Sequence, residues 1–311
     1  MSDHIVQSQI WGNFKSQYGT PSVLVEGIQY TKHKIPFTNY YYAYCPKVNP
    51  HNINFEKVKA SLIENNCIAI NFDVPNILTT DPNIKSIVSI FEERCVKAKK
   101  NTFAKHNILL DITPSEETLL VNMHHKHRYN IKYAQKNSVI VVEGKNAEDF
   151  EIFYKLLSET AERQKYFIHP KGYYKMIWEI LGKEGMVKIL TAFKGTTPLA
   201  SWMLFLYDGV LYYPYGGSSD QHRNLSPSTL LAWEVIKFGK ANNCTAFDMW
   251  GASSDPGNTL DPWFGFTNFK LRFGGRFVEY MDSYDFILNE PAYNTFSFAN
   301  EMRWKILRFI R

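Results

Sequence analysis

Apolar and polar positions alternate along this chain in short blocks, some with a helical period and some with the two-residue period of a strand. Ile10, Phe14 and Tyr18 stand four apart ahead of Gly19, the pattern of a short helix with a glycine stop. Residues 21–30 and 39–45 read as strands, and residues 55–64 as a helix that turns Val58 and Leu62 inward. Residues 67–73 alternate like a half-buried strand and end on Asp73. A further strand at 107–112 precedes Thr113-Pro114-Ser115-Glu116, which predicts a helix start with Thr113 as cap and Pro114 in the first turn. That helical region runs to about residue 136, with a break near His125.

The second half repeats the alternation. A strand at 138–142 leads into a charged stretch, 143–149, that reads as a domain crossing. Phe150, Phe153, Tyr154, Leu157 and Ala161 mark an amphipathic helix, and residues 173–181 a second one. Three strands follow at 187–193, 199–207 and 210–215, the last two joined by the hairpin signal Asp208-Gly209. Leu230, Leu231, Val235 and Phe238 mark a helix, and 245–251 a strand that enters a loop rich in glycine and proline. Strand pieces continue to residue 288, and a basic terminal helix runs from Phe296 to Arg311.

Two blocks echo each other. Tyr40-Tyr-Tyr-Ala-Tyr-Cys45, a helix and Asn65-Asn-Cys-Ile-Ala-Ile-Asn-Phe-Asp73 parallel Tyr212-Tyr-Pro-Tyr-Gly-Gly217, a helix and Asn242-Asn-Cys-Thr-Ala-Phe-Asp248. Both read strand, helix, strand, with a carboxylate near the end of the second strand. The match fits two copies of one α/β fold, with a site in the crevice between or beside them.

The stretch 261–280 stands apart: it holds five phenylalanines and a tryptophan among three glycines, with Lys270, Arg272 and Arg276 against Asp261 and Glu279. It reads as strand and loop forming a wall, apolar behind and cationic in front. Lys270 is the cation expected to face an anion or a developing oxyanion. Arg128, Lys132 and Lys136 recur at four-residue intervals, a cationic stripe that suits a polyanion and equally a solvated face. His124, His125 and His127 lie among these cations with no acid or thiol to complete a ligand set, so no metal is expected.

Totals narrow the class. The 311 residues are 45% hydrophobic, 21% charged and 15% aromatic, with a net charge of +5. That balance favours an anionic partner without the strong basicity of a dedicated nucleic-acid binder. The four cysteines are scattered, as in a reducing compartment. Neither a secretory leader nor a membrane-length apolar run is present, so a cytoplasmic protein is expected, with at most peripheral contact at the inner face of a membrane.

Six motifs in order complete the picture. They are Gln7-Ser-x-x-Trp11-x-x-x-Lys15, Asp111-Ile-x-x-Ser115-Glu-Glu, Lys126-x-Arg-Tyr-Asn-Ile-Lys-x-Ala134, Tyr213-Pro-Tyr-Gly-Gly217, Asp248-Met-Trp-Gly251 and Gly265-Phe-x-x-Phe-Lys270-x-x-Phe-Gly-Gly275. Together the set resembles the Fem family of peptidoglycan interpeptide-bridge aminoacyltransferases, over nearly the whole chain. The resemblance implies a mixed α/β (α+β) fold of two tandem domains, each similar to the Gcn5-related N-acetyltransferase fold. The expected division is 1–145 with 289–311 on the precursor side and 146–288 on the aminoacyl-tRNA side. The helices from 150 to 181 lack sustained heptads, so the chain resembles members without a coiled-coil arm.

The resemblance also implies the reaction: an amino acid passes from aminoacyl-tRNA, the co-substrate, to the side-chain amine of a stem peptide. The acceptor would be lipid II or UDP-MurNAc-pentapeptide, the enzyme a monomer, and no further cofactor is needed. In the family the lysine of a Phe-Lys pair, here Phe269 and Lys270, carries the catalytic role. Lys15, with Trp11 beside it, matches a lysine that contacts the precursor's phosphates. Asp73 and Tyr215 are looser transfers to precursor contacts, and Arg223 follows from its place after the Tyr-Gly-Gly segment. Two alternatives share the fold: an acyl-CoA N-acyltransferase, and a non-catalytic binder of precursor or RNA. Against the first, Arg223-Asn-Leu-Ser-Pro-Ser228 lacks the two glycines of a pyrophosphate loop, and Pro227 removes a donor.

Overall fold

The computed structural model describes residues 3–309. Its elements begin with α1 (Gln9–Gln17), β1 (Ser22–Val25), β2 (Ile28–Lys34), β3 (Tyr41–Pro46), α2 (Phe55–Glu64), β4 (Cys67–Asp73), α3 (Ile84–Arg94) and β5 (Val96–Lys97). Next come β6 (His106–Asp111), α4 (Glu116–Asn122), α5 (His125–Lys136), β7 (Val139–Gly144), α6 (Ala147–Gln164), α7 (Lys171–Lys183), β8 (Val187–Lys194) and β9 (Thr197–Tyr207). The chain closes with β10 (Val210–Ser218), α8 (Pro227–Ala241), β11 (Ala246–Gly251), α9 (Phe264–Leu271), β12 (Arg276–Glu279), β13 (Tyr284–Ile287) and α10 (Glu290–Phe309).

These elements form two compact units, one of residues 3–105 with the segment from 279 onward, the other of residues 106–278. The first unit holds a six-stranded sheet in the order β1-β2-β3-β4-β13-β5. Strands β3 and β4 are parallel; the other pairs are antiparallel. Its core gathers Val58 and Leu62 of α2, Phe72 of β4 and Phe91 of α3. β4 is buried along its whole length, although its alternation predicted a half-buried strand. The cause is tertiary: β3 and β13 pair with its two sides, and α2 and α10 pack on it.

The second unit holds a seven-stranded sheet in the order β12-β6-β11-β10-β9-β8-β7, with β10 and β11 as its parallel pair. One core cluster contains Trp202, Leu211, Leu231, Phe247 and Phe273. α6 lies against β10 so closely that a Cβ on Gly217 would sit 2.2 Å from the Leu156 carbonyl oxygen. Only glycine fits there. Thr160 fastens the same place, its hydroxyl accepting from the Ser218 amide at 2.9 Å. α6 and α7, 18 and 13 residues long, thus cover a sheet.

Three expectations are corrected. The boundary falls at 105/106 rather than 145/146, because β6 pairs with β11 and β7 with β8, which commits everything from β6 to β7 to the second sheet. The chain returns at 278/279, not 288/289, because β13 inserts between β4 and β5. The helix after β6 is capped by Ser115, whose hydroxyl accepts from the Thr118 amide at 3.2 Å. Thr113 instead donates its amide and hydroxyl back to Asp111. Asp111, two residues upstream, is the local acceptor that outcompetes the helix start for those donors.

The echo between the halves has a structural counterpart. β3–α2–β4 and β10–α8–β11 are both strand–helix–parallel strand, and Asp73 and Asp248 lie at or near the ends of the second strands.

Candidate active site

Residues 264–271 are a helix, not the strand-and-loop wall expected there. Aromatic content suggested extended chain, but the spacing carried the helical signal: Phe266 with Lys270 and Phe269 with Phe273 are each four apart. Asp261 starts the helix, accepting from the Trp263 amide at 2.7 Å through its side chain and from the Phe264 amide at 2.9 Å through its carbonyl. Thr267 ties it to the preceding loop by accepting from the Ser253 amide at 2.8 Å.

The helical turn stacks Lys270 beneath Phe266. The Lys270 Nζ lies 3.7 Å from the centre of the Phe266 ring and 5.9 Å from that of Tyr213. It donates to the Gly251 carbonyl at 2.6 Å. Lys270 is fully buried, while Phe266 is 42% exposed. The amine therefore sits in a dry place under a partly exposed ring. Burial holds its pKa well below the usual lysine value, and the charge of Asp248 acts in the opposite direction.

The accepting carbonyl belongs to an irregular stretch of β11. The pairing of β11 with β6 shifts register between Asp248 and Gly251, and Trp250 there adopts φ of +65°. A bulky aromatic rarely takes that conformation without support. The support is Asp248, whose carboxylate accepts from the Trp250 amide at 2.7 Å and from the Asn107 amide at 2.9 and 3.0 Å. α5 contributes His127 beside Phe269, the residue that precedes Lys270. Its Nε2 lies 3.0 Å from the Phe269 carbonyl oxygen, and its ring is 4.4 Å from that of Phe273. Burial pushes His127 down to about 4.

The two family-pattern residues thus behave differently. Lys270 presents its charge to a buried space, whereas Phe269 is packed against the core by its side chain and holds His127 by its carbonyl. Tyr215 lies away from Lys270, with its ring 5.0 Å from Tyr174 and 5.9 Å from Phe205, and burial raises its pKa well above the usual value. A register shift in β10 between Tyr212 and Tyr215 breaks the alternation. It sends Tyr215 to the α7 side and Tyr213 to the side of Trp202, 3.7 Å away, and Lys270. Tyr213, two positions from the residue singled out, is the one beside the amine.

The cationic stripe on α5 is shorter than its spacing suggested. Arg128 turns back to donate to the carbonyls of Leu120, Val121 and Met123, closing the end of α4. Lys132 and Lys136 are exposed. Arg223 is exposed and 3.7 Å from Asp220. Among the described residues no group of three metal-ligating side chains is present.

In the first unit, Trp11 is buried against Phe14, and Lys15 is half-buried with its Nζ near the rings of Phe14 and Tyr18 at 5.9 and 6.0 Å. Burial lowers the Lys15 pKa. Asp73 is fully buried and accepts four hydrogen bonds, from Tyr44 at 2.5 Å, Ser283 at 2.7 Å and the amides of Thr102 and Phe103 at 3.0 and 2.7 Å. A carboxylate has about four acceptor positions. Asp73 is thus held by four donors of its own chain. Of the terminal basic residues, Arg303 and Lys305 are exposed, and the side chains of Trp304, Arg308, Phe309 and Arg311 lie outside the described residues. Among the described residues no helix is long and apolar enough to cross a membrane.

Sequence reading missed Lys47, which follows β3. It is buried, with Nζ 3.2 Å from the centre of the Tyr280 ring. The periodicity places it outside any element, and nothing in its neighbours marks it. It also missed Phe266, Tyr213 and Asn107 around Lys270; the four-residue step from Phe266 to Lys270 was the one available signal.

Comparison with known proteins places this geometry. Residues 122–261 match the acetyltransferase (GNAT) domain. The lipid II:glycine glycyltransferase of Staphylococcus epidermidis is 22% identical over 247 residues, 59% of this chain and 59% of the relative. The chain thus spans about three-fifths of that relative's length. The Staphylococcus aureus protein of the same name is 28% identical over 95 residues, 30% of this chain and 22% of that one. Among solved structures, FemX superposes with a TM-score of 0.83 at 16% identity, covering 94% of both chains, and L-PGS from Bacillus licheniformis with 0.57 at 10%, covering 94% and 95%. At such identities the structural likeness establishes the fold.

Proposed function

We propose that the chain is a member of the Fem family and that it transfers an amino acid from aminoacyl-tRNA to the side-chain amine of a stem peptide in a peptidoglycan precursor, lipid II or UDP-MurNAc-pentapeptide. The carrying observation is Lys270: a fully buried amine, anchored to the Gly251 carbonyl and covered by the Phe266 ring. Aminolysis of an ester forms a C–N bond and pushes the carbonyl electrons onto oxygen. The C–O bond to the ribose then breaks, and the proton lost by the attacking amine ends on the ribose hydroxyl. The developing oxyanion is what a fixed ammonium in a water-poor pocket stabilises most. Phe266 must swing aside for the carbonyl to reach Nζ, which suits a site that shields a reactive ester until it is engaged.

The basic balance of the chain, +5, supports anionic substrates on both sides of the reaction. Lys15 is assigned to the phosphates of the precursor and exposed Lys132 and Lys136 to the tRNA backbone. The acyl-CoA alternative is less well supported: at the start of α8, where a pyrophosphate would need amide donors, Pro227 supplies none. The test mixes the protein, tRNA charged with labelled amino acids and a lysine-containing precursor. Label is expected on the precursor. If none arrives from any charged tRNA while acetyl-CoA is consumed on an amine, the reading is wrong.

A further inference from the structure

Lys270 does not fix its own position. Its hydrogen bond goes to a backbone carbonyl, and the direction of that carbonyl is set by the turn Trp250 makes in the left-handed region. That turn is held by Asp248, and the carboxylate of Asp248 is in turn gripped at both oxygens by Asn107 across the β11–β6 pair. Asn107 and Asp248 are 2% exposed each. Two buried polar side chains, a bulky residue at positive φ and a register shift all converge on one carbonyl and one amine. A strand needing only to pair would have no use for the arrangement, because strain of that kind persists only where the surroundings enforce it.

We propose that Asn107 and Asp248 are positioning residues: through the Trp250–Gly251 bulge they aim the Gly251 carbonyl at Lys270, and they hold the Asp248 carboxylate where its charge is coupled to the amine. Besides Asp248 on β11, β10 presents Tyr213, whose ring centre is 5.9 Å from Nζ, and α5 places His127 against the carbonyl of Phe269, the residue before Lys270. Burial raises Tyr213 and lowers His127 to about 4, so neither carries charge near neutral pH. The charge acting on the amine is that of Asp248. The consequence for turnover rests on Lys270 being the working cation, whereas the coupling of the two side chains does not.

The experiment therefore reads the coupling directly. In protein labelled with carbon-13 at lysine Cε and aspartate Cγ, the Lys270 signal is assigned by its loss in Lys270→Met, and Asp248 by its loss in Asp248→Asn. In the unaltered protein the Asp248 Cγ shift should step at the pH where Lys270 titrates, and that step should vanish in Lys270→Met. In Asp248→Asn, which keeps an acceptor for the Trp250 amide, the Lys270 midpoint should fall by about one unit. Trp250→Gly accommodates the same φ and should leave the midpoint where it was. The absence of an Asp248 step in the unaltered protein overturns the proposal, whether or not Asp248→Asn folds. So does a Trp250→Gly midpoint displaced as far as that of Asp248→Asn. Transfer activity is then followed in Asp248→Asn as a function of pH. A shifted NMR midpoint with no transfer by any variant, the unaltered protein included, would leave the positioning intact and remove the proposed reaction.

Discussion

At the scale of single residues, Lys270 concentrates the chemistry. The Phe266 face and the Gly251 carbonyl offset part of what its amine loses by leaving water, and the surrounding dryness makes its charge count for more. Replacing it by methionine keeps bulk and removes charge. Turnover in the transfer assay should fall about 100-fold or more, the effect of losing one oxyanion donor. Turnover within a few-fold of the parent would take Lys270 out of the mechanism. Asp73 carries the opposite lesson. Both residues are polar and fully buried, yet Asp73 spends its acceptors on Tyr44, Ser283 and two amides, and so serves the fold.

At the scale of elements, most helices and strands follow from periodicity, because burial of one face is a local demand that the sequence must answer residue by residue. α2 falls where Val58 and Leu62 placed it, and β9 and β10 meet at Asp208-Gly209, with φ of +50° and +72°. At α9 and at the α4 cap two local signals compete: four-residue spacing prevails over aromatic content, and Ser115 over Thr113-Pro114. The cap assignment is open to measurement. Ser115→Ala should cost about 1 kcal/mol of stability in urea unfolding, and Thr113→Ala distinctly less. The reverse order would restore Thr113 as the cap. The α5 stripe shows a related limit, since spacing puts Arg128, Lys132 and Lys136 on one face but says nothing of Arg128 folding back onto α4.

For the whole molecule, two sheets with separate cores explain the composition better than any one motif. The second unit runs from 106 to 278, and its sheet pairs β6 with β11, about 140 positions away in sequence. Acid stability should follow from the buried imidazoles. His127 is pushed down to about 4 and His4 well below its usual value, both chiefly by burial. The unfolded chain takes up protons near pH 6.5 that the folded chain refuses. Their contribution to stability is thus present above about pH 6.5 and is lost as pH falls from there toward 4. The melting temperature should drop across that window, and less steeply in His127→Gln. An equally steep drop in that variant would assign the acid sensitivity elsewhere.

The amino-acid sequence determined what depends on near neighbours: most of the elements and the strand–helix–strand echo. Tertiary structure decided what depends on partners far along the chain. It moved the unit boundary to 105/106, because strand pairing and not local charge defines a sheet. It withdrew Asp73 and Arg128 into internal hydrogen bonds, and set Tyr213 rather than Tyr215 beside the amine through a bulge that periodicity does not record. It also joined Asn107 to Asp248 and Lys270, three residues whose spacing in sequence gives no reason to connect them, since a buried charge finds its partners by position in space.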